Sequence, residues 1–250
     1  MANTFAGIPT IDLSGFLAGD PAATSPVVAA VRAAAISPGF FQITGHGTSP
    51  AQAERIFDAV RRFFALPQPT KDALTKDMQT TVRGYEPPGM QRIEGGIPDR
   101  KEGIVWGSEE VTPDFMARGP NKWPSEAECP GYRSEMMQCY NDWMVLGRAL
   151  FRILALGLGL PDSYFDALME GENLIATCRS HRYMPIGEHV GTADKETRGV
   201  GAHTDWGAVT LLMQDNVGGL EVFDRASDTW QPVPPVRDAL VVNLGDLIGK

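Results

Sequence analysis

Cysteine and positive charge are both scarce in this sequence of 250 residues. Its three cysteines, Cys129, Cys139 and Cys178, are odd in number and lack a CxxC spacing. This pattern fits free thiols in a reducing compartment better than a disulfide framework. Lysine and arginine total 22 against 31 acidic residues, which gives a net charge of −9. Because no basic stripe is available to neutralise phosphates, the composition argues against a nucleic-acid-binding protein.

Long hydrophobic runs are also missing, although 43% of the residues are hydrophobic and can supply a sizeable core. The longest apolar stretch, residues 149–160, is interrupted by Arg152 and is too short to span a bilayer. The first residues lack a basic segment followed by an apolar run, so they do not resemble a secretory signal. We therefore expect a cytoplasmic monomer with neither a membrane nor a nucleic-acid partner.

The hydrophobic pattern changes along the chain. The first half is typical of helices, at 26–35 and 50–65, with extended runs at 8–13 and 40–44. Residues 84–125 are rich in Gly and Pro and predict a long ordered loop with short strands. Residues 132–158 predict one long helix with an apolar face. From about residue 173, short segments typical of an antiparallel sandwich or barrel follow at 175–183, 208–214, 219–223, 229–233 and 239–244. The fold class expected is α+β, with the long helix bracing the sheet.

The sharpest chemical feature is His203-Thr204-Asp205. Residues at i and i+2 of an extended segment point the same way, so an imidazole and a carboxylate can converge on one divalent ion. With one further histidine they would form the facial triad of iron(II) oxygenases. The tripeptide alone is a weak signal, because a His and an Asp near a turn more often form a hydrogen-bonded surface pair.

The surrounding sequence resembles the metal-site region of the isopenicillin N synthase-like iron(II)/2-oxoglutarate-dependent oxygenases. The resemblance runs over residues 199–248 and includes the TLL-Q-D stretch, GGLEV, W-PV-P and VVNLGD. In the first half, IPTIDLSGF resembles the family's opening strand, GFFQITGHG its first βα unit, RGYEPPG its following loop and DRKEGIVWG its DxKEG-like segment. The resemblance covers nearly the whole chain, in order.

That resemblance implies a distorted double-stranded β-helix, or jelly roll, with a helical N-terminal region. It divides the chain into the N-terminal region at 1–130, the supporting helix and connector at 131–172 and a partial jelly roll at 173–250. It also implies an Fe(II) cofactor, with 2-oxoglutarate and O2 as cosubstrates. The reaction expected is oxidation of a small molecule in secondary metabolism, by hydroxylation, desaturation or cyclisation.

The resemblance also assigns site residues. His203 and Asp205 fall on the first two iron ligands, and Tyr183 on the tyrosine that helps to hold the cosubstrate. His181 and Arg179 alternate with Tyr183 on the same presumed strand and could face the same cavity. Without the family context, Tyr183 would be interpreted as a core aromatic residue. For His181, a buried histidine bonded to the backbone is at least as good an interpretation.

Other polar and aromatic residues are weaker candidates. Phe41 and Trp206 could line a substrate pocket, although aromatic residues near a core are usually core. The remaining candidates are expected to have structural roles: His46 as a hydrogen-bonding residue of its turn, His189 as a solvated loop residue, and Asn243 and Asp246 as turn formers.

The sequence departs from the family pattern after its HxD motif. The family places a second histidine and then an Arg-x-Ser further along, but no histidine follows His203 and no arginine follows Arg237. We therefore expect an incomplete barrel, weak binding of Fe(II) and poor turnover of 2-oxoglutarate. Three explanations stay open: a truncated gene product, which we favour, an inactive relative that binds a small molecule or a partner, or an oxygenase that fills the gap from elsewhere. His181 is the one in-chain substitute for the missing histidine.

Overall fold

The computed structural model describes residues 7–91, 99–113, 115–171, 174–185, 199–225 and 227–248. The chain forms two compact units, each drawn from separate stretches of sequence. Unit 1 comprises Met1–Ala53, Asp142–Gly171 and Thr204–Lys250, and unit 2 comprises Glu54–Asn141 and Glu172–His203. His189 lies outside the described residues. The predicted boundaries at residues 130 and 172 stay a prediction.

The helices follow the predicted pattern closely. They are α1 (Ser14–Leu17), α2 (Pro21–Ile36), α3 (Pro50–Phe64), α4 (Gln68–Asp72) and α5 (Tyr132–Gly157), with 3₁₀ turns at Met116–Arg118 and Asp166–Met169. The helices predicted at 50–65 and 132–158 are confirmed to within one residue. Helix α2 begins at residue 21 rather than 26, because the Asp20 carboxylate accepts a hydrogen bond from the Ala22 N–H at 2.9 Å. Pro21 then occupies the first helical turn, where a missing N–H costs nothing.

None of the helices in the described ranges combines the length and the hydrophobicity that crossing a bilayer requires.

The strands are β1 (Thr10–Asp12), β2 (Phe40–Thr44), β3 (Gly84–Glu86), β4 (Lys101–Gly107), β5 (Thr177–Tyr183), β6 (Val209–Leu212), β7 (Glu221–Asp224), β8 (Thr229–Pro232) and β9 (Leu240–Leu244). In unit 1 the order β1-β2-β9-β6 forms a four-stranded sheet that is antiparallel except for the parallel β1–β2 pair, and β7 and β8 form a hairpin. In unit 2 the order β3-β4-β5 forms an antiparallel sheet. Within the part of the chain that the structure describes, these sheets do not close into a barrel.

The core of unit 1 lies between its four-stranded sheet and two helices. Leu150 and Ile153 of α5 and Val31 of α2 pack with Phe41 and Val242 of the sheet, and each of these side chains is at most 1% exposed. Burying an aliphatic or aromatic side chain of this size contributes about 1.5–3 kcal/mol. The bracing role predicted for the long helix is therefore confirmed for its C-terminal half.

Unit 2 has an aromatic core beside its three-stranded sheet. The Phe63 and Tyr132 rings stack with centroids 5.0 Å apart, and Trp123 meets Tyr132 edge-on at 6.0 Å. The Trp106 indole N–H of β4 donates to the Met136 carbonyl oxygen at 3.2 Å. These contacts attach the first turns of α5 to β4.

The expectation that the sheets begin near residue 173 is wrong. Both multistranded sheets recruit strands from the first half of the chain, since β2 pairs with β9 and β4 pairs with β5. All seven residues of β4 are buried. Strands β3 and β4 lie in the region predicted as a loop with short strands, but the bounds of β4 are not predicted, because a strand covered on both faces does not alternate between apolar and polar residues.

Candidate functional site

The Asp205 carboxylate of unit 1 is held by two neighbouring strands. Its Oδ2 accepts hydrogen bonds from the Thr210 hydroxyl at 2.6 Å and from the Asn243 side-chain amide at 2.8 Å. Thr210 of β6 and Asn243 of β9 are directly opposed in the sheet, so both donors converge on one oxygen. The Asp205 carbonyl oxygen also accepts the Asp246 N–H at 2.7 Å. Backbone and side chain of Asp205 are thus both anchored to the sheet.

Glycine is required close to this anchor. A Cβ at Gly245 would lie 2.7 Å from the Asp205 carbonyl oxygen, closer than real Cβ atoms approach a backbone oxygen. The turn after Asp205 can therefore approach the end of β9 only because residue 245 has no side chain.

His203 is the last residue of unit 2. Its Nδ1 lies 2.9 Å from the Gly201 carbonyl oxygen. Because a carbonyl oxygen can only accept, Nδ1 is the donor in this contact, and in the neutral ring the lone pair is then on Nε2. A histidine that donates from one ring nitrogen to a backbone carbonyl, with the other nitrogen available as a ligand atom, is the usual arrangement in metal sites.

Arg179, His181 and Tyr183 share one face of β5. In the antiparallel register they lie opposite Val105, Gly103 and Lys101 of β4, respectively. The rings of His181 and Tyr183 are in contact, with centroids 6.0 Å apart.

Glycine at position 103 makes room for His181. A Cβ on Gly103 would lie 3.0 Å from His181 Nδ1, so the imidazole packs directly over this glycine. The predicted shared face of Arg179, His181 and Tyr183 is present in the structure.

This face is polar and its charges are paired. The Lys101 ammonium lies 3.1 Å from an Asp99 carboxylate oxygen, and the Arg179 guanidinium lies 3.7 Å from a Glu86 oxygen. Burial, followed by the positive charges of Lys101 and Arg179, lowers the pKa of His181 to about 3. His181 is therefore a neutral imidazole at physiological pH.

Tyr183 rests against the segment that precedes the HxD motif. A Cβ on Gly199 would lie 2.6 Å from Tyr183 Cδ1, so the tyrosine ring packs directly on this glycine. The Gly199 carbonyl oxygen accepts the Arg100 N–H at 3.1 Å, and the Arg100 carbonyl oxygen accepts the Met184 N–H at 3.2 Å. The end of β5, the start of β4 and residues 199–201 thus form one hydrogen-bonded patch, and 51% of Tyr183 remains exposed.

The remaining candidates fall in different environments. Phe41 is 1% exposed and belongs to the core of unit 1, which leaves almost no surface for a ligand, whereas Trp206 is 92% exposed in the turn after Asp205. A substrate-lining role for either stays a prediction. His46 Nε2 contacts the Asp238 carbonyl oxygen at 3.1 Å, and its Nδ1 accepts the Thr48 N–H at 3.3 Å, so its structural role is confirmed.

The expectation that Asn243 is a turn former is wrong. Asn243 lies inside β9, 9% exposed, with its amide on Asp205. Sequence reasoning also misses Thr210. In both cases a single polar residue within an apolar strand segment is the available signal, because a buried polar group needs a hydrogen-bonding partner.

The donor set is suited in kind to iron(II), which takes imidazole nitrogen and carboxylate oxygen. Within the described ranges, no group of three His, Cys, Asp or Glu side chains is placed to hold a metal ion. His203 and Asp205 supply one imidazole and one carboxylate of this kind, and their role as metal ligands stays a prediction.

Comparison with known families agrees with this chemistry. Residues 8–126 match the family model described as non-haem dioxygenase in morphine synthesis N-terminal, and residues 175–249 match that of the 2OG-Fe(II) oxygenase superfamily. The second match contains the HxD motif, β5 and β9.

Similar proteins cover nearly the whole chain. The 2-oxoglutarate-Fe(II) type oxidoreductase hxnY of Emericella nidulans is 41% identical over 96% of this chain and 70% of its own length. The 2-oxoglutarate-dependent dioxygenase caaD of Aspergillus niger is 38% identical over 97% of this chain and 75% of its own length.

Solved structures show the same relationship. A full-length Neurospora crassa protein in complex with alpha-KG superposes with a TM-score of 0.86 at 30% identity, over 99% of this chain and 76% of that one. The rice dioxygenase for auxin oxidation gives a TM-score of 0.70 at 28% identity, over 96% of this chain and 72% of that one. These likenesses confirm the α+β jelly-roll fold class. The chain belongs to the 2OG-Fe(II) oxygenase superfamily, whose members use Fe(II), 2-oxoglutarate and O2 to oxidise small molecules.

Proposed function

We propose that His203 and Asp205 are two of the Fe(II) ligands of this oxygenase and that Tyr183 helps to bind 2-oxoglutarate. The observation that carries the proposal is the support of Asp205, whose Oδ2 accepts two hydrogen bonds from adjacent strands at 2.6 and 2.8 Å. A carboxylate fixed in this way keeps its orientation before a metal binds. The tautomer of His203 supplies an Nε2 lone pair of the kind that iron binds.

Bound iron would couple the oxidative decarboxylation of 2-oxoglutarate by O2 to oxidation of a substrate C–H bond. The chain's own part is to bind and to orient. The Tyr183 hydroxyl would donate a hydrogen bond to a carboxylate of the cosubstrate. Arg179, whose side chain is 42% exposed beside Glu86, would offer guanidinium N–H donors on the same face, beside the neutral imidazole of His181.

The substrate and the setting are proposed at the level of class. We propose hydroxylation of a small metabolite in secondary metabolism, with desaturation or cyclisation as the other outcomes open to the same cofactor. We propose that the protein acts in the cytoplasm as a monomer, without membrane or nucleic-acid partners. The three free cysteines and the net charge of −9 support this setting.

Calorimetric titration of 2-oxoglutarate under anaerobic conditions tests the assignment of Tyr183. We expect binding that requires added Fe(II). We expect Tyr183→Phe to weaken it about 10-fold, because a hydrogen bond to a charged group contributes about 1.5–3 kcal/mol. Tyr164→Phe is the matched control, since Tyr164 is also largely exposed. Binding that does not require Fe(II), or equal weakening by Tyr183→Phe and Tyr164→Phe, would contradict the proposal.

A further inference from the structure

We propose that Asp99 is a positioning residue for His203 and acts through the backbone of Gly201. The inference rests on the proposed role of His203 as an iron ligand and extends it to a residue about a hundred positions earlier in the chain. All the contacts that carry it lie within unit 2.

The starting point is a buried ion pair at the beginning of β4. Lys101 Nζ lies 3.1 Å from Asp99 Oδ2, and the two side chains are only 8% and 3% exposed. A buried carboxylate is retained in its charged form only when opposite charge and hydrogen-bond donors offset the loss of water. Lys101 supplies the charge, and burial in turn lowers the pKa of Lys101 against the opposing effect of Asp99.

The second step is a backbone donor from the segment before the HxD motif. The Gly201 N–H donates to the other Asp99 oxygen, Oδ1, at 3.4 Å. The neighbouring tie between the Arg100 N–H and the Gly199 carbonyl oxygen, at 3.1 Å, holds the same two segments together. Asp99 thus accepts the Gly201 N–H and helps to hold this residue in place.

The third step joins Gly201 to the imidazole. The Gly201 carbonyl oxygen is the acceptor for His203 Nδ1–H at 2.9 Å. A chain of contacts therefore links Lys101, through Asp99 and Gly201, to His203. The N–H and the carbonyl of Gly201 belong to two successive peptide planes that meet at its Cα, so the bond to Asp99 helps to hold this Cα in place, and with it the position from which the carbonyl reaches His203. Loss of Asp99 should let the carbonyl turn and should loosen both the tautomer and the orientation of the ring.

A second buried ion pair on the same strand provides the matched control. Lys71 Nζ lies 2.8 Å from Glu102 Oε2, and the side chains are 5% and 1% exposed. Glu102 also accepts from the Tyr85 hydroxyl at 2.6 Å and from Arg182 at 3.0 Å. None of these partners belongs to residues 199–203. Removing either acid leaves a buried lysine without its acidic partner, but of the two acids Asp99 is the one with a described hydrogen bond to residues 199–203.

The experiment compares Asp99→Ala, Asp99→Asn and Glu102→Ala, together with the charge-balanced double variant Asp99→Ala/Lys101→Met in case the single variant fails to fold. ¹⁵N NMR of the metal-free chain reports the Gly201 amide and the His203 tautomer. Titration with Co(II), followed by its visible absorption, reports affinity and ligand geometry. We expect the alanine and double variants to shift the Gly201 amide, to mix the tautomers of His203 and to weaken Co(II) binding about 10-fold, the lower limit for residues that orient ligands.

Asparagine keeps an oxygen for the Gly201 N–H, so Asp99→Asn should restore the amide shift and the single tautomer. Glu102→Ala should lower thermal stability without changing either signal. The proposal is overturned if Gly201 and His203 are unchanged in the double variant, or if Glu102→Ala changes them equally. If the wild-type chain shows the Gly201–His203 coupling in NMR but binds no Co(II), the proposed function is wrong, while the positioning of His203 through Asp99 and Gly201 is supported.

Discussion

Replacing Asn243 by leucine removes one of the two donors that hold the Asp205 carboxylate. Asn243 is 9% exposed in β9, and its amide lies 2.8 Å from Asp205 Oδ2. Leucine has a similar volume and suits a strand that also contains Val241 and Val242. The substitution therefore changes the hydrogen bonding of Asp205 with little change in packing.

The expected magnitudes differ for metal affinity and for stability. Residues that orient a ligand contribute about 10–100-fold in metal affinity, which corresponds to about 1.4–2.7 kcal/mol. Because Thr210 still donates to the same oxygen at 2.6 Å, we expect Asn243→Leu to weaken Fe(II) binding by about 10-fold. The free energy of unfolding should fall by about 1.5–3 kcal/mol, the contribution of one hydrogen bond to a charged group.

Anaerobic Fe(II) calorimetry and urea denaturation measure these two quantities on the same variants. Thr210→Val and the double variant complete a cycle, and we expect coupling between the two sites because both donors serve one oxygen. Asn121→Leu is the control: Asn121 bonds the backbone of Gly107 at 2.8 and 2.9 Å, so its loss should lower stability alone. Unchanged Fe(II) affinity in Asn243→Leu, at any stability, would refute the role assigned to this asparagine.

Three further predictions concern the packing at Gly199, the buried ion pair of Glu102 and the pH dependence of stability. Gly199→Ala should displace the ring of Tyr183, which a Cβ would meet at 2.6 Å, and should weaken 2-oxoglutarate binding in calorimetry; unchanged affinity would contradict this. Glu102→Ala should lower the free energy of unfolding, measured by urea denaturation, by about 3–5 kcal/mol, because the buried ammonium of Lys71 loses its acidic partner. A decrease below about 1 kcal/mol would contradict this prediction. Burial lowers the pKa of His46, so the unfolded state takes up protons first and stability should fall as the pH drops below about 6.5. His46→Asn should flatten that pH dependence in denaturant titrations, and an unchanged slope would exclude His46 as its source.

The sequence predicts the elements whose local signals agree with their final environment. Strand β2, Phe40–Thr44, is predicted to the residue because turn residues bound an extended run of strand-forming side chains. Helix α5 is predicted to within one residue because its apolar positions recur at helical spacing. The shared face of Arg179, His181 and Tyr183 follows from the alternation of side chains along β5.

The rest depends on which distant segments pair. Nothing local to β4 indicates that both of its faces are covered. Likewise, the partnership of Asn243 with Asp205 exists only because β9 lies beside β6. Asp99 precedes Gly201 by about a hundred residues, and their hydrogen bond forms only because the segment before β4 lies beside the segment before the HxD motif within unit 2. Such contacts are set by tertiary structure, which hydrophobic periodicity does not encode.

Anaerobic calorimetric titration of Fe(II) in the presence of 2-oxoglutarate tests the assignment of the metal ligands most directly. We predict saturable one-to-one binding that is lost in His203→Ala and in Asp205→Ala. We predict unchanged binding in Asp215→Asn, which alters an exposed carboxylate ten residues after Asp205. Binding that survives the loss of His203 or of Asp205 would show that these residues are not the metal ligands.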